Sequence, residues 1–405
     1  MRSKPRYGWF FDTAVAVLKP IARLLFNFEY EALDIEGPAL VLCNHNTDFD
    51  CFFLACAINS TLSFVMTENV VRMGFLGHIA TKYFDPIIHY KGTVGLSTTK
   101  NILKKLKSGK SVAMFPEGNR SFNGKTCPIP PATAKLAKAT GASLVTYKFT
   151  GGYFSYPRWG TGIRKGKLAG KVANVYSAEQ LAEISAEELQ ARIEADLYTD
   201  AYEEQKIRKI AFKGKKRAEG MESTLFRCPD CGKIGTLRSV DNSIFCECGF
   251  DAYYNEYGWL ECSSGKQYTI TELDEDQRNY LADLVSEQCG SSSAPELESD
   301  ICKEPSTAED SLFSDNADFS IINENHELKQ KTNIKLRAFK NRFCLGDTIL
   351  PFEKIRGIAI NQRNLLLIHV DGIKGHYELS GSIGFNALKY LYLYRAVCGS
   401  RNGLI

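Results

Sequence analysis

The chain is 405 residues long, with 44% apolar and 24% charged side chains and a net charge of +3. That length is ample for two or three domains, and those fractions exclude both a polytopic membrane protein and a mostly disordered chain. The charge is uneven: residues 1–220 carry 31 basic and 20 acidic side chains, a surplus of 11, and the remainder carries 19 and 27, a deficit of 8.

A basic first half suits an anionic membrane surface or a nucleic acid. Residues 9–28, WFFDTAVAVLKPIARLLFNF, are apolar and aromatic but are interrupted by Asp12, Lys19, Pro20 and Arg23. A membrane-spanning helix needs about 20 mostly apolar residues, so no span is expected. Pro20 is expected to divide the segment into two short helices that lie in a membrane interface. Arg2, Lys4 and Arg6 precede it as in a signal peptide, but Asp12 and the lack of a small-x-small site predict a retained segment.

Beyond Ile35 the pattern alternates strand and helix. Candidate strands are 39–44, 62–67, 85–90, 111–117, 142–149 and 170–177, with helices over 94–109 and 131–141, the second closed by Gly141. One long acidic helix is expected over 178–205, followed by the basic run KIRKIAFKGKKR. Such alternation predicts an α/β domain with helices packed on the faces of a sheet.

NHNTDFD, residues 44–50, lies where an apolar strand gives way to a helix. Five residues along a regular helix turn through about 140° beyond a full revolution, so His45 and Asp50 cannot share a helix face. With the helix starting near Thr47, His45 lies in the preceding loop and can fold back to Asp50, which suits a general base held in one tautomer by a carboxylate. Thr47-x-x-Asp50 also reads as a capping box with His45 a bystander, and this segment alone leaves both readings open. FPEGNRS, residues 115–121, follows another apolar strand. Gly118 permits a tight turn, Arg120 offers a fork for phosphate or carboxylate, and Glu117 can pair with that arginine or accept from a substrate hydroxyl. A surface turn with a local salt bridge is the alternative.

Taken together, His45-x4-Asp50 followed some seventy residues later by Phe115-Pro-Glu-Gly-Asn-Arg-Ser resembles the glycerolipid acyltransferases, in particular the 1-acylglycerol-3-phosphate acyltransferase group. The resemblance runs over roughly residues 30–220. It implies an acyltransferase-type mixed sheet, with His45 deprotonating the acceptor hydroxyl and Asp50 orienting it. Glu117, Gly118, Asn119 and Arg120 would form the acceptor site. The implied reaction moves a fatty-acyl group from acyl-CoA or an acyl carrier protein to a lysophospholipid, and needs no catalytic cofactor or metal. The chain departs from the family pattern on the acceptor side. Asn119 replaces threonine, Tyr90 and Lys91 stand where an arginine is usual, and Pro131-Ala132-Thr133 replaces Lys-Gly. Lys91 can still meet a phosphate, as a point charge rather than a fork. Backbone amides near Asn44 or Gly118 are candidate oxyanion donors.

Residues 226–262 form a small module in which Cys228, Cys231, Cys246 and Cys248 are spaced to set four sulfurs around one tetrahedral zinc, a closed and therefore structural site. A redox pair is the alternative. The other nine cysteines are scattered singly, several in apolar segments, which reads as a reducing compartment. A ribbon beside a basic run can bind nucleic acid, yet no aromatic platform accompanies these lysines, so nucleic acid is the weaker reading.

An acidic, aromatic-poor stretch over about 274–316 reads as a helix and a disordered linker. From Ala317, strands with turns at LGD and VDG and a closing helix FNALKYLYLYRAV resemble a pleckstrin-homology-type module. The expected parts are an interfacial helical segment over 1–30, an acyltransferase domain over 31–220 and a zinc ribbon over 226–262. A helix and linker over 263–316 and a β-rich domain over 317–400 complete the chain. The expected setting is peripheral or monotopic attachment to the cytoplasmic face of a membrane. Two rivals are a catalytically idle lipid-binding or adaptor protein on the same fold and a zinc-ribbon nucleic-acid binder.

Overall fold

A computed structural model describes residues 6–68, 78, 81–82, 84–91, 95–286, 311–324, 327–381 and 384–399. Two compact units emerge, residues 1–217 with 254–259, and residues 218–253 with 260–404.

The first unit is built on a seven-stranded sheet in the order β1-β7-β6-β2-β5-β3-β4. The strands are β1 (Phe28–Tyr30), β2 (Ala39–Cys43), β3 (Leu62–Thr67), β4 (Ile87–His89), β5 (Ser111–Met114), β6 (Ser143–Thr150) and β7 (Leu168–Tyr176). β2 runs parallel to both β5 and β6, while β6 and β7 are antiparallel, so the sheet is mixed. Every residue of β2 is buried, as expected of a central strand covered on both faces. Its side chains alternate between two cores. Ala39, Val41 and Cys43 join Phe26, Phe53 and Leu54 on one face, and Leu40 and Leu42 join Ile102, Leu106, Ala137 and Leu189 on the other.

Register places the two motif segments at one level. Leu42 of β2 lies beside Met114 of β5 in parallel register, so His45 and Glu117, each three residues further on, leave the same sheet edge together. In open α/β sheets the carboxyl ends of the strands are where ligand sites form.

Three elements differ from expectation. Residues Arg6–Phe26 form one helix, α1, that runs through Pro20 rather than two short ones. Packing outweighs the missing hydrogen bond, since Phe11, Ala22 and Phe26 bury on the sheet and the Phe26 ring lies 5.0 Å from that of Phe53. No helix among the described residues is long and apolar enough to cross a membrane. The acidic stretch is three helices, Ala178–Glu183, Ala186–Leu197 and Ala201–Arg208, because Ser177, Ser185 and Asp200 each cap a new start. The helix bearing Asp50 spans Asp50–Ala57 and so begins three residues later than expected.

The second unit opens with short strands β8 (Arg238–Val240), β9 (Ser243–Phe245), β10 (Asp251–Tyr254), β11 (Leu260–Cys262) and β12 (Gln267–Tyr268) and a helix over Ile270–Ser286. The linker expected within 274–316 falls mainly on 287–310, outside the described residues. Seven antiparallel strands then follow: β13 (Phe313–Ile322), β14 (Leu328–Ala338), β15 (Arg342–Leu345), β16 (Thr348–Pro351), β17 (Ile355–Asn361), β18 (Leu365–Val370) and β19 (His376–Ser380). Their order is β16-β15-β14-β13-β19-β18-β17, a meander wound back so that the first strand meets the last, and the helix Ala387–Cys398 follows. The buried Asp274 carboxylate accepts from Tyr392 Oη at 3.0 Å, which ties the helix Ile270–Ser286 to that closing helix.

Candidate active site

The loop 44–49 wraps around a carboxylate. Asp50, fully buried, accepts from Asn46 N–H (2.6 Å), Thr47 N–H (2.9 Å) and Thr47 Oγ1 (2.6 Å), and its Oδ2 lies 2.9 Å from His45 Nδ1. These donors all lie just ahead of the helix Asp50–Ala57, so the carboxylate of its first residue folds the loop back on itself. Thr47 Oγ1 accepts from Phe49 N–H while Thr47 N–H donates to Asp50, bonds of the capping-box kind just ahead of the helix, but the same carboxylate also meets His45, so His45 is not a bystander.

A carboxylate at Nδ1 selects the tautomer that carries its proton there and leaves Nε2 as the basic atom. The imidazole stacks on Phe115, with centroids 4.4 Å apart and 22° between planes, and its side chain keeps 24% exposure. Burial holds the imidazole below its usual 6.5, with Asp50 pulling the other way and the Arg120 and Lys91 charges adding to the lowering. A neutral imidazole at physiological pH is the state a general base needs.

The second motif holds the first in place. Glu117, 1% exposed, does not pair with Arg120; its Oε1 accepts the His45 N–H at 2.7 Å and its Oε2 the Cys127 N–H at 2.6 Å. Ser121 N–H donates to the His45 carbonyl at 2.9 Å, so both backbone groups of His45 are fixed by the 117–121 segment. Burial pushes the Glu117 carboxyl up to about 8. Its geometry is that of a positioning residue. Gly118 turns with φ +66°, and its N–H donates to Phe115 O at 3.2 Å, so this expected oxyanion donor is already engaged.

Arg120 and Asn119 are both buried. Arg120 Nε lies 3.1 Å from Asp48 Oδ1, which joins the motif segments a third time. Lys91 Nζ donates to Asn119 Oδ1 at 2.9 Å. Lys91 is lowered to about 7 by burial first and then by the charges of Arg158 and Arg120. The structure thus gathers His45, Asp50, Lys91, Glu117, Gly118, Asn119 and Arg120 at one sheet edge.

Two further contributors position the loop, and neither side-chain role was read from the sequence. Asn44 exchanges two hydrogen bonds with the backbone of Phe149, through Oδ1 at 2.7 Å and Nδ2 at 2.9 Å, and so anchors the loop to β6. Gly152 lets the segment after β6 pass the loop, since a Cβ there would lie 3.0 Å from that of Asn46. Only the Gly151-Gly152 pair was visible in the sequence as a sign of close approach.

Residues 26–150 match the family model described as Acyltransferase. That span contains both motif segments and Lys91. Among solved structures, the 1-acyl-sn-glycerophosphate (LPA) acyltransferase PlsC from Thermotoga maritima is similar at 20% identity and a TM-score of 0.41, over 46% of this chain and 75% of that one. No curated protein matches the chain. The family match supports acyl transfer as the general activity of the acyltransferase-like region.

A second cluster lies in the other unit. The four sulfurs of Cys228, Cys231, Cys246 and Cys248 lie within 4.8 Å of one another, a group able to hold a metal ion. Cys228 and Cys248 sulfurs are 3.7 Å apart, and those of Cys231 and Cys246 3.9 Å. Four thiolates at about 2.3 Å from a tetrahedral zinc must sit about 3.8 Å from each other. The described cysteines are all free thiols.

Proposed function

We propose that this protein is a membrane-surface acyltransferase that moves a fatty-acyl group from a thioester, acyl-CoA or acyl carrier protein, to the free hydroxyl of a lysophospholipid. The preferred acceptor on this reading is 1-acylglycerol-3-phosphate, giving phosphatidate. The observation that carries it is the His45 Nδ1 to Asp50 Oδ2 contact of 2.9 Å at a sheet edge shared with Lys91 and Arg120. His45 Nε2 takes the acceptor hydroxyl proton as the oxygen attacks the thioester carbonyl. The tetrahedral intermediate then expels thiolate, and His45 returns the proton to it. Asp50 stabilises the imidazolium formed between the two transfers. Lys91 and Arg120 hold the anionic headgroup, and Glu117 fixes the base. An idle adaptor would have no use for a carboxylate with four donors aimed at one imidazole.

The test is acyl transfer to lysophosphatidate with both donors, comparing wild-type protein with His45→Ala. Histidine-dependent phosphatidate formation supports the reading. No product from lysophosphatidate or from a panel of other lysophospholipids would count against it.

The pH profile follows from two groups of the free enzyme. His45, held below 6.5, must be neutral, so kcat/KM is expected to fall only as pH drops beneath that value. Lys91, near 7, must be charged to hold phosphate, so kcat/KM falls again as pH climbs through about 7. A bell is therefore expected, and Lys91→Arg should remove its alkaline limb. A profile whose alkaline limb survives that change would exclude Lys91 as its source.

Membrane attachment is assigned to α1. Val17, Ile21, Leu24 and Leu25 are 58%, 43%, 67% and 40% exposed and form one stripe with Pro20, opposite the buried Phe11, Ala22 and Phe26. A stripe of that kind lies naturally in a lipid interface, here at the cytoplasmic face. Ile21→Asp with Leu24→Asp is expected to weaken sedimentation with anionic vesicles about tenfold or more, because each buried aliphatic contributes about 1.5–3 kcal/mol. Unchanged partitioning would remove the stripe as the anchor.

The cysteine cluster is assigned a structural zinc, held by Cys228, Cys231, Cys246 and Cys248 with no open position. Its contribution is to the folding of residues 226–262 and not to acyl transfer.

A further inference from the structure

Well beyond both motif segments, the acidic stretch breaks between the helices Ala186–Leu197 and Ala201–Arg208. Tyr198, Thr199 and Asp200 form the break, and Thr199 is only 4% exposed. Asp200 caps the second helix, which explains why a helix starts there but not why a hydroxyl is buried beside it. The link runs antiparallel to residues 124–126. Thr126 N–H donates to Thr199 O at 3.0 Å, Ala201 N–H donates to Gly124 O at 3.0 Å, and Lys125 bridges to Asp200 between them.

The two threonine side chains complete the join. Thr199 N–H donates to Thr126 Oγ1 at 2.8 Å, the two Oγ1 atoms are 3.0 Å apart, and Asn44 Nδ2 donates to Thr199 Oγ1 at 3.4 Å. A hydroxyl has one proton to give and two lone pairs to receive with. Thr126 Oγ1 gives its proton to Leu197 O, 3.2 Å away, and receives from both Thr199 groups. Thr199 Oγ1 then donates to Thr126 and accepts from Asn44. In the reverse direction, no acceptor among the described residues remains for the Thr199 proton.

Both sides of this clasp reach the histidine. Asn44 precedes His45 and is pinned to Phe149. On the other side, Ser121 Oγ donates to Lys125 O at 2.7 Å and accepts from Gly124 N–H at 2.8 Å, while Ser121 N–H donates to His45 O. Cys127 N–H fixes Glu117, which accepts the His45 N–H. The 117–127 segment thus sets the backbone of His45, and residues 197–201 set residues 124–126.

We propose that Thr199 is a positioning residue whose hydroxyl clasps the 121–127 loop to Asn44 and so keeps His45 where the acceptor hydroxyl must meet it. The inference rests on the acyl-transfer reading for its kinetic consequence but not for the clasp itself, so the two are measured separately.

The test compares the full-length wild type with Thr199→Val, which keeps the shape and loses the hydroxyl, and Thr199→Ser, which keeps the hydroxyl. In acyl transfer to lysophosphatidate, Thr199→Val is expected to lower kcat about 10- to 100-fold, as for a misplaced reacting group, with KM changed less than about threefold. Thr199→Ser should stay within about threefold of wild type in both constants, because its hydrogen bonds survive. Hydrogen exchange read by mass spectrometry needs no turnover. Amides of 44–50 and 121–127 should exchange about tenfold faster in Thr199→Val, a larger change than in β3, and at wild-type rates in Thr199→Ser. Wild-type kcat in Thr199→Val overturns the proposal, as does a loss confined to KM or one shared equally by Thr199→Ser, which would trace it to packing. If wild type transfers no acyl group, the acyl-transfer reading falls and exchange alone decides. Unaltered protection of 44–50 in Thr199→Val then removes the clasp, and its selective loss upholds it. Should Thr199→Val not fold, Thr126→Val, which removes the partner hydroxyl, is judged by the same readings, and wild-type behaviour there refutes the clasp.

Discussion

Replacing His45 by alanine is expected to lower the rate of phosphatidate formation by about 10²- to 10⁴-fold, the range contributed by a positioned general base. Stability should change little, because the imidazole keeps a quarter of its surface exposed and its loss leaves the Asp50 carboxylate with three other donors. Asp50→Asn should be as damaging to the rate and more damaging to the fold. With Nδ2 in the Oδ2 position it would face the Asn46 and Thr47 N–H groups and His45 Nδ1, and each unsatisfied buried donor costs about 1–3 kcal/mol. That orientation also reverses the tautomer that leaves Nε2 basic, an effect that in other histidine-carboxylate pairs lowers turnover about 10⁴-fold. With Nδ2 in the Oδ1 position the Thr47 hydroxyl must turn from donor to acceptor. The two variants together are diagnostic: a rate loss in His45→Ala at unchanged melting temperature locates the defect in chemistry. Phosphatidate formation that survives in His45→Ala would remove the histidine from the mechanism and with it the central claim.

Loss of one thiolate from the cysteine cluster is expected to unfold residues 226–262. Structural zinc sites contribute roughly 10–16 kcal/mol to folding at neutral pH, comparable to or above the entire stability of an ordinary domain at about 5–15 kcal/mol. The local core is too small to compensate. Its strands β8, β9 and β11 are three residues long, and its buried apolar side chains are Phe226, Leu237, Ile244, Phe250, Ala252, Tyr254 and Leu260, with Cys228 and Cys246. Cys228→Ser, at a fully buried position, should release the metal and expose this segment to proteolysis. Purified wild-type protein should contain about one zinc per chain, and a chelator under reducing conditions should lower its unfolding temperature. A metal-free protein with an intact, protease-resistant ribbon would exclude the zinc assignment.

Much of the acyltransferase-like unit was legible in the sequence. The apolar runs at 39–44, 62–67 and 111–117 became β2, β3 and β5 within three residues at each end; β2 is buried throughout and β3 and β5 over their first three residues, which is what a near-continuous apolar run reflects. His45 and Asp50 were legible as a pair only through the resemblance carried by both motif segments, because the first segment alone left the capping-box reading open. What misled was local propensity where tertiary packing decides. Pro20 does not break α1, since burial of Phe11, Ala22 and Phe26 outweighs one missing hydrogen bond. The single acidic helix became three, although Ser177, Ser185 and Asp200 were in plain view as caps. Glu117 had been read as facing Arg120 or a substrate hydroxyl, and it instead holds two backbone amides.

By itself the sequence determined which residue types exist to do chemistry: an imidazole with a carboxylate, a turn with a fork, and four thiolates at ligand spacing. Those are local properties, set by side-chain identity and by separations of a few residues. Only the tertiary structure decided which distant groups share one site. The parallel register of β2 and β5 brings His45 to Glu117, and a loop after β6 carries Arg158 to Phe122. Such meetings depend on strand order and on packing over separations of thirty to seventy residues, which no local pattern encodes.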